Sequence, residues 1–298
     1  MRKSIKQHFL TVYFSIGLAF AWSYSQSAAA AAPGDLQAYQ VGSLPGQLSV
    51  EQGVANYSIP IGVPPGVAGV EPELALTYSS MGGAGYMGLG WSLSGFSAIT
   101  RCSRTLVQDD AVTGIEWRRD DRYCLDGQRL ILVSGVYGEN GSEYRTELDG
   151  FSRIRAYGSA GEGPAKFKVE TKAGQTIEYG YTEDSRIEAH GRTEAVAWAL
   201  NKLTDAVGNS LKIHYYEEEE HTEYYPKDVL YSGNRIAFGY VDLPSSDSKP
   251  KYLSSVKFRA TRRLHNINVN SDGQLVTKYK FTYDSRPDEP DLLETANS

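Results

Sequence analysis

Residues 41–104, VGSLPGQLSVEQGVANYSIPIGVPPGVAGVEPELALTYSSMGGAGYMGLGWSLSGFSAITRCSR, set the fold class of this chain. Short runs of β-type residues alternate there with Pro and Gly, and the stretch has no helical period. Leu74, Leu76 and Tyr78 recur at two-residue spacing, as is typical of a half-buried strand. Because the prolines of PIGVPPGVAGVEP cannot donate a ladder hydrogen bond, the strands must be short or lie at sheet edges. The stretch therefore predicts an all-β fold.

Within this stretch, SLPGQLSV, ANYSIPIGV and ELALTYSS are predicted to be strands, VPPGVAGVEP a bend, and WSLSGFSAITR one further strand. Gly83, Gly85, Gly88 and Gly90 form a glycine-rich segment before the last strand. Residues 83–88 match G-x-G-x-x-G, but a dinucleotide site needs a helix after this motif, and here more glycines follow. We interpret the four glycines as a structural hinge.

The order of the motifs resembles the amino-terminal domain of the SpvB/TcaC family. The motifs are LPG, YSIPI, PPG-x-AG, P-x-L-x-L-x-Y-S-S, GG, G-x-GWSLSG and ITR-C. The likeness continues through DDRYCLDGQRL and, more loosely, to about residue 283. The resemblance implies a domain like the one that begins bacterial plasmid virulence proteins and the B components of insecticidal toxin complexes.

Length and composition leave room for one large all-β domain or two ordinary ones in 298 residues. The 21 tyrosines exceed the 9 phenylalanines, and an aromatic ring with a polar tip suits half-buried strand faces. The net charge of −6 comes without a basic stripe, which argues against a nucleic-acid partner.

The amino terminus is predicted to be a signal peptide over residues 1–32. Basic residues precede the apolar run FLTVYFSIGLAFAW, and SYSQSAAAAAP offers cleavage sites. An uncleaved membrane anchor is the alternative. Residues 33–40 are predicted to be a flexible lead-in. Since no second hydrophobic segment follows, we expect no stable membrane insertion after cleavage and a secreted, extracellular protein, with the periplasm as the other possible location.

Cys102 and Cys124 are the two cysteines of the chain. In an exported protein such a pair most simply forms a disulfide, and a pair of free buried thiols is the alternative. Closing a loop of about 22 residues would stabilise the fold by roughly 3 kcal/mol. A zinc site would need further ligands, and no histidine lies between the two cysteines.

The middle of the chain is predicted to continue as hairpins after a polar surface loop at residues 105–121. Asp126-Gly127, Asn140-Gly141 and Asp149-Gly150 are turn dipeptides. FSRIRAY and KFKVET have the two-residue period of strands.

A repeat then emerges in AGQTIEYGY, VGNSLKIHY and SGNRIAFGY, with a longer fourth copy in SDGQLVTKYKFTYD. The repeat pairs are Gly174 with Tyr181, Gly208 with Tyr215, Gly233 with Tyr240, and Gly273 with Tyr283. VAWALNKLTD, YYPKDVLYS and RRLHNINVNSD precede the later three copies as their predicted partner strands. Because a lone hairpin is marginal in water, the copies should share one extended, curved sheet.

The chain after the signal is thus predicted to form an SpvB-type β domain over residues 41–283. It would have a Pro/Gly-rich part at 41–170 and hairpin repeats at 171–283, before a disordered tail at 284–298. The repeats resemble, in weaker form, the Tyr-Asp repeats of Rhs proteins. That resemblance implies a shell-like wall and toxin-complex or Rhs-type polypeptides as protein partners.

The sequence gives no set of residues for catalysis. Glu217–Glu220 with His221 and Glu223 is interpreted as a solvated loop, because adjacent strand residues point to opposite faces. Asp109-Asp110 and Asp120-Asp121 resemble a glycosidase pair only in residue type, since no feature fixes their separation. G-x-S-x-G, H-E-x-x-H and P-loop motifs are missing, so no catalytic residue, cofactor or metal is expected.

We therefore expect a secreted, non-enzymatic scaffold or docking module of a toxin-complex or Rhs-like assembly. The alternative is a binding module that recognises glycans or a host receptor, and a secreted hydrolase is a third class. Exposed aromatic side chains in a row would favour the binding module, whereas aromatics buried between layers would favour the scaffold.

Overall fold

The computed structural model describes residues 46–244, 248–253, 256–284 and 292–297. The predicted signal peptide and lead-in lie outside these ranges. The described residues form short antiparallel strands and turns, which confirms the all-β prediction. The helical elements among them are short. They are α1 at Leu106–Asp109 and single 3-10 turns at Val67–Gly69, Glu183–Ser185 and Glu219–His221.

A four-stranded sheet opens the described chain. Residues 46–94 contain β1 (Gln47–Glu51), β2 (Val54–Pro60), β3 (Ala75–Ser79), β4 (Ala84–Gly85), β5 (Gly88–Leu89) and β6 (Trp91–Ser94). The order in the sheet is β1-β2-β3-β6, all antiparallel, while β4 and β5 form a separate two-residue hairpin. The predicted strands SLPGQLSV, ANYSIPIGV and ELALTYSS correspond to β1, β2 and β3.

The prediction of a single strand in WSLSGFSAITR is wrong, because the chain breaks there between two sheets. β6 ends at Ser94, and β7 (Ala98–Cys102) begins a different sheet. Gly95 has φ 103°, and a Cβ at this position would lie 2.3 Å from the carbonyl oxygen of Glu73. Only glycine can make this close approach, so the backbone turns out of the first sheet here.

Eight strands close into a barrel. They are β7, β8 (Arg122–Leu125), β9 (Gln128–Ser134), β10 (Glu143–Thr146), β11 (Arg153–Tyr157), β12 (Lys166–Glu170), β13 (Thr176–Tyr179) and β15 (Ala195–Thr204). Consecutive strands pair in order, and β15 pairs with β7 through Ala197↔Thr100 and with β13 through Thr176↔Thr204. β14 (Arg186–Glu188) pairs with the first half of β15. The barrel therefore crosses the predicted division at residue 170, because β13 and β15 follow that residue and the other six strands precede it or end there.

The barrel interior is filled by aromatic side chains, as small barrels require. The ring of Trp198 lies 4.9 Å from that of Phe167 and 5.4 Å from that of Tyr123, and all three side chains are buried. The buried guanidinium of Arg101 pairs with Asp121 at 2.8 Å and donates to the carbonyl oxygens of Ala195, Arg118 and Glu162. This buried ion pair ties the connecting loops to β15.

β15 continues into an open sheet of hairpins, in the order β15-β16-β17-β18-β21-β22-β23. Its further strands are β16 (Ser210–Glu218), β17 (Glu223–Tyr231), β18 (Asn234–Asp242), β21 (Arg262–Ser271), β22 (Gln274–Asp284) and β23 (Leu292–Asn297). β19 (Lys251–Leu253) and β20 (Val256–Phe258) form a side hairpin. The predicted partner strands of the three later repeat copies correspond to β15, β17 and β21.

One part of the predicted tail does not fit the expectation of disorder. Residues Leu292–Asn297 form β23, whose backbone pairs with β22 through Phe281↔Ala296. The acidic, proline-containing composition of 284–298 predicted disorder. It could not indicate this strand, because β23 forms by pairing with the edge of β22, which exists only in the folded sheet.

One part of the hydrophobic core joins the hairpin sheet to the first sheet. Leu211, Ile213 and Tyr215 of β16 are buried, whereas Lys212 between them is exposed, in the two-residue alternation of a one-sided sheet. Ile59 and Leu76 of the first sheet belong to the same core cluster. Two tyrosine hydroxyls fix the intervening loop. That of Tyr279 accepts from the Gly62 amide at 2.8 Å, and that of Tyr231 donates to the Pro64 carbonyl at 2.8 Å.

Candidate functional site

The repeat tyrosines hold each hairpin to its own preceding strand. The hydroxyl of Tyr215 donates to the Leu200 carbonyl at 2.7 Å, and that of Tyr240 to the Pro226 carbonyl at 2.8 Å. In the fourth copy Tyr283 donates in the same way to a carbonyl of β21 at 2.6 Å. The same type of contact therefore recurs in three copies of the repeat.

Each of these tyrosines also lies at a β-bulge. The register shifts at His214/Tyr215 in β16, at Gly239/Tyr240 in β18 and at Thr282/Tyr283 in β22. A bulge bends its strand and increases the local twist. The repeat thus marks where the hairpin sheet bends, which gives a physical basis for the curvature that the sequence predicted.

The first repeat copy departs from this pattern. Tyr181 was expected at the end of a strand, but β13 ends at Tyr179. The bulge lies at Glu178/Tyr179, and the hydroxyl of Tyr179 shares a 2.8 Å hydrogen bond with that of Ser97. Gly180, with φ 71°, lies where a Cβ would be 2.5 Å from the Trp198 ring, so the strand must turn away at this point. This copy closes the barrel and does not extend the open sheet.

The repeat glycines lie along one rim of the molecule. Gly174, Gly208, Gly233 and Gly273 all have positive φ in the turns before β13, β16, β18 and β22. Thr176 pairs with Thr204, and Asn234 pairs with Ser271, so neighbouring turns lie side by side. In an antiparallel meander, every second turn falls at the same end of the sheet. We call this row of turns, residues 172–175, 205–209, 232–233 and 272–275, the turn rim.

The turn rim and the loops beside it expose apolar side chains. Val207 is 81% exposed, Leu275 57% and Val67 57%, and the amide of Val67 donates to the Ser232 hydroxyl at 3.0 Å. Phe151 is 70% exposed, and the Lys172 ammonium lies 5.3 Å from its ring centre. Sequence reasoning missed this surface, although the turn-to-turn alternation of the repeat could have located it.

The predicted glycine hinge contains two kinds of position. Gly88 and Gly90 have positive φ of 85° and 78°, and a Cβ on Gly90 would lie 2.5 Å from the ring of Tyr78. Gly83 and Gly85 do not have positive φ, and a Cβ on Gly85 would meet no atom within 4 Å. The need for glycine is therefore at Gly90, where backbone conformation and packing both demand it.

Cys102 and Cys124 form a disulfide between β7 and β8. The predicted surface loop begins beside this bond and lies against the barrel wall, where the Asp109 carboxylate contacts the guanidinium of Arg122 at 2.5 Å and that of Arg129 at 3.1 Å. Burial opposes ionisation of Asp109, yet its hydrogen bonds from Arg122 and the Thr105 amide lower its pKa. The disulfide thus joins the two strands that the loop connects, and the nearly buried ion pair of Asp109 with Arg129 holds the loop to the barrel wall.

Three of the four aspartates that resembled a glycosidase site are engaged in ion pairs. Asp109 contacts Arg122 and Arg129, Asp120 contacts Arg104, and Asp121 contacts Arg101. These partners hold the loop and the barrel together, which is a structural use of the carboxylates.

The acidic residues at the junction of β16 and β17 lie at the end of the sheet opposite the turn rim, with Glu217 in β16 and Glu223 at the start of β17. Burial, reinforced by the nearby Glu188 carboxylate, raises the pKa of Glu217 to about 7. Burial also raises the pKa of Glu223, whose carboxylate accepts from the Tyr225 hydroxyl. In the part of the chain that the structure describes, no group of three or more His, Cys, Asp or Glu side chains is placed to hold a metal ion.

The tyrosine side chains are mostly buried or half-buried. Among the tyrosines in the described ranges, only Tyr252 is exposed. Within those same ranges, no helix is long and apolar enough to cross a membrane.

The chain is similar in sequence to one known family. The family described as "SpvB: Salmonella virulence plasmid 65kDa B protein" matches residues 49–291. No curated protein matches the chain.

Three solved structures share this fold. The crystal structure of TcdB2-TccC3 superposes with a TM-score of 0.70 at 17% identity, over 86% of this chain and 16% of that one. The N-terminal domain of the effector SpvB from Salmonella typhimurium strain LT2 gives 0.66 at 18% identity, over 80% and 97%. The Photorhabdus luminescens Tc holotoxin pore gives 0.68 at 17% identity, over 85% and 15%. The chain thus spans a small part of the two toxin-complex chains and nearly the whole SpvB domain.

Proposed function

This chain belongs to the SpvB family and is a module related to toxin complexes, and from that premise we propose that it is a secreted, non-enzymatic scaffold that docks a larger toxin-complex or Rhs-type polypeptide. The burial of its tyrosines carries this proposal. Three repeat tyrosines use their hydroxyls on backbone carbonyls of their own hairpins. Such side chains build a wall and are not free to stack on a glycan.

The turn rim is the docking surface in this proposal. It joins exposed apolar side chains to hydrogen-bonded turns, two of which are linked where the Asp272 amide donates to the Gly233 carbonyl at 3.3 Å. A rigid apolar rim can bury area on a partner without first having to be ordered. The signal peptide predicted at residues 1–32 supplies the export that the role requires.

Co-purification with an Rhs-type or toxin-complex polypeptide from the same organism tests this role. We expect a complex of defined mass in light scattering, and we expect it to be lost in the double variant Val207→Asp/Leu275→Asp. Val107→Asp is the matched control, because Val107 is 95% exposed on α1, which is not one of the four turns of the rim. Complex formation that is unaffected by the rim variant, or that is absent with wild type, would count against the proposal.

The non-enzymatic part of the proposal needs its own measurement. Wild type should show no hydrolysis of aryl glycosides above the rate of a buffer blank. Turnover that is abolished by Asp109→Asn or Asp121→Asn, in a variant that keeps the cooperative melt of wild type, would show that one of these carboxylates is catalytic. Saturable glycan binding by calorimetry would instead favour the binding-module alternative.

A further inference from the structure

β1 is a free edge strand with an unusual composition. All five of its residues are exposed, including Leu48 at 71% and Val50 at 68%. Soluble proteins usually protect a sheet edge with Lys, Pro or a bulge, or with a covering segment. QLSVE contains neither Lys nor Pro, its register with β2 is regular, and no described residue covers its outer side.

The hydrogen-bond pattern identifies the groups that face outward. The amide and carbonyl of Ala55 in β2 bond to Ser80, on the β3 side, so Asn56 and the alternate residues of β2 bond to β1. Asn56 pairs with Ser49, so Ser49 uses its backbone groups on β2. The N–H and C=O groups of Leu48 and Val50 therefore point to the free edge.

These groups are self-complementary about Ser49. If a second β1 lies antiparallel with the two Ser49 residues opposite each other, Leu48 of each copy faces Val50 of the other. Each of these two pairs can exchange two backbone hydrogen bonds. Glu51 would face Gln47 of the other copy, so no like charges meet.

The side chains fit this register as well. Leu48 pairs with Tyr57 within the sheet, so Leu48, Val50 and the partly buried ring of Tyr57 are on one face. In the paired arrangement, Leu48 and Val50 of both copies would cover one another on that face. Direct cross-strand neighbours of this type stabilise a sheet.

We propose that β1 is a homodimerisation edge, at which a second copy of this chain pairs antiparallel across a two-fold axis at Ser49. The two four-stranded sheets then become one eight-stranded sheet. The contact is small, so the dimer is weak and depends on concentration. It does not depend on the docking role of the turn rim, which contains no residue of the first sheet.

Cysteine capture tests the axis directly. Ser49→Cys places two thiols opposite each other across the axis, whereas in the matched control Gln47→Cys the two thiols are about 14 Å apart along the strands. Under mild oxidation we expect the Ser49→Cys chain to form a covalent dimer much faster than the Gln47→Cys chain. Equal rates for the two variants, at any protein concentration, would overturn the proposal.

A charge swap separates a two-fold homodimer from other occupants of the edge. Ser49→Lys and Ser49→Glu should each be monomeric alone, because like charges meet at the axis, and a mixture should regain the doubled mass of a dimer. Failure of the mixture to dimerise overturns the proposal. It is also overturned if wild type stays monomeric while a chain beginning at Gly46 dimerises, since the preceding residues would then occupy the edge.

Discussion

The barrel and the hairpin sheet are built from the same short antiparallel strands but treat their exposed edges differently. In the barrel, β15 pairs with both β7 and β13, so the ladder has no free edge. The hairpin sheet stays open and buries one face under residues of the first sheet. A closed barrel must be filled by its own side chains, whereas an open sheet must have one face covered by another part of the chain.

The two regions also place their charges differently. In the barrel, Arg101 and Asp121 form an ion pair with side chains that are 0% and 5% exposed. On the outer face of the hairpin sheet, the nearly buried Asp228 carboxylate contacts the side chains of His214 at 2.7 Å and Arg235 at 2.8 Å, which are 42% and 54% exposed. Removal of one partner should therefore be more harmful in the barrel, since it leaves a buried charge unpaired.

The largest effect is expected from Trp198→Ala, at the strand that both regions share. The side chain is fully buried against Phe167 and Tyr123, so its loss should cost about 3–5 kcal/mol in the free energy of unfolding. Denaturant melts measure this cost, with the 76% exposed Leu148→Ala as control. A small loss of stability would mean that the barrel interior can repack around the missing ring. The filled interior would then not distinguish the barrel from the open sheet.

The covered face of the open sheet should come next. Ile213→Ala should cost about 2–5 kcal/mol, because Ile213 is 2% exposed. The neighbouring Lys212→Ala should change the free energy of unfolding by no more than about 0.5 kcal/mol. If the two variants proved equally unstable, the alternation of faces in β16 would not describe the sheet.

Loss of the disulfide should affect the barrel selectively. Cys102→Ser/Cys124→Ser should cost roughly 3 kcal/mol, from the entropy that the unfolded chain regains. Hydrogen exchange should increase in β7, β8 and the attached loop but not in β21 and β22. Alkylation without reductant is the check on wild type, since two added alkyl groups would mean that both thiols are free.

The tyrosine contacts of the hairpins should make a smaller contribution. Tyr215→Phe removes the hydroxyl that donates to the Leu200 carbonyl and should lower the free energy of unfolding by about 1–2 kcal/mol. The exposed Tyr252→Phe should be neutral in the same thermal or denaturant melts. A neutral Tyr215→Phe would show that the repeat tyrosines act only through their rings.

The smallest effect concerns pH and the acidic end of the open sheet. Because the folded-state pKa of Glu217 is raised to about 7, protonation stabilises the fold below pH 4.5, and this contribution is lost as the pH rises through 7. Glu217→Gln should therefore be more stable than wild type at pH 8, by about 1 kcal/mol after solvent screening. The exposed Glu220→Gln is the control, and an unchanged pH slope in Glu217→Gln would contradict this assignment.

Much of the fold follows from local sequence. Asp126 and Gly127 both take positive φ in the turn between β8 and β9, as their residue types predict. The later repeat copies form hairpins with the predicted partner strands, because Gly permits the turn and a two-residue period fixes the buried face. The candidate site was harder to predict, since neither the turn rim nor the pairing of Asp109 with Arg122 has a motif.

By itself, the sequence determined most of the strands and turns, the partner strands of the later repeat copies and the family resemblance, because these depend on residues close together in the chain. Only the tertiary structure decided that the strand predicted around Gly95 breaks, that the first repeat copy closes a barrel and that the glycine turns gather on one rim. Each of these depends on pairs far apart in sequence, such as Thr100 with Ala197, or on a close approach such as that of Gly180 to Trp198. No local pattern records which distant strand will complete a sheet, so closure is a property of the assembled fold.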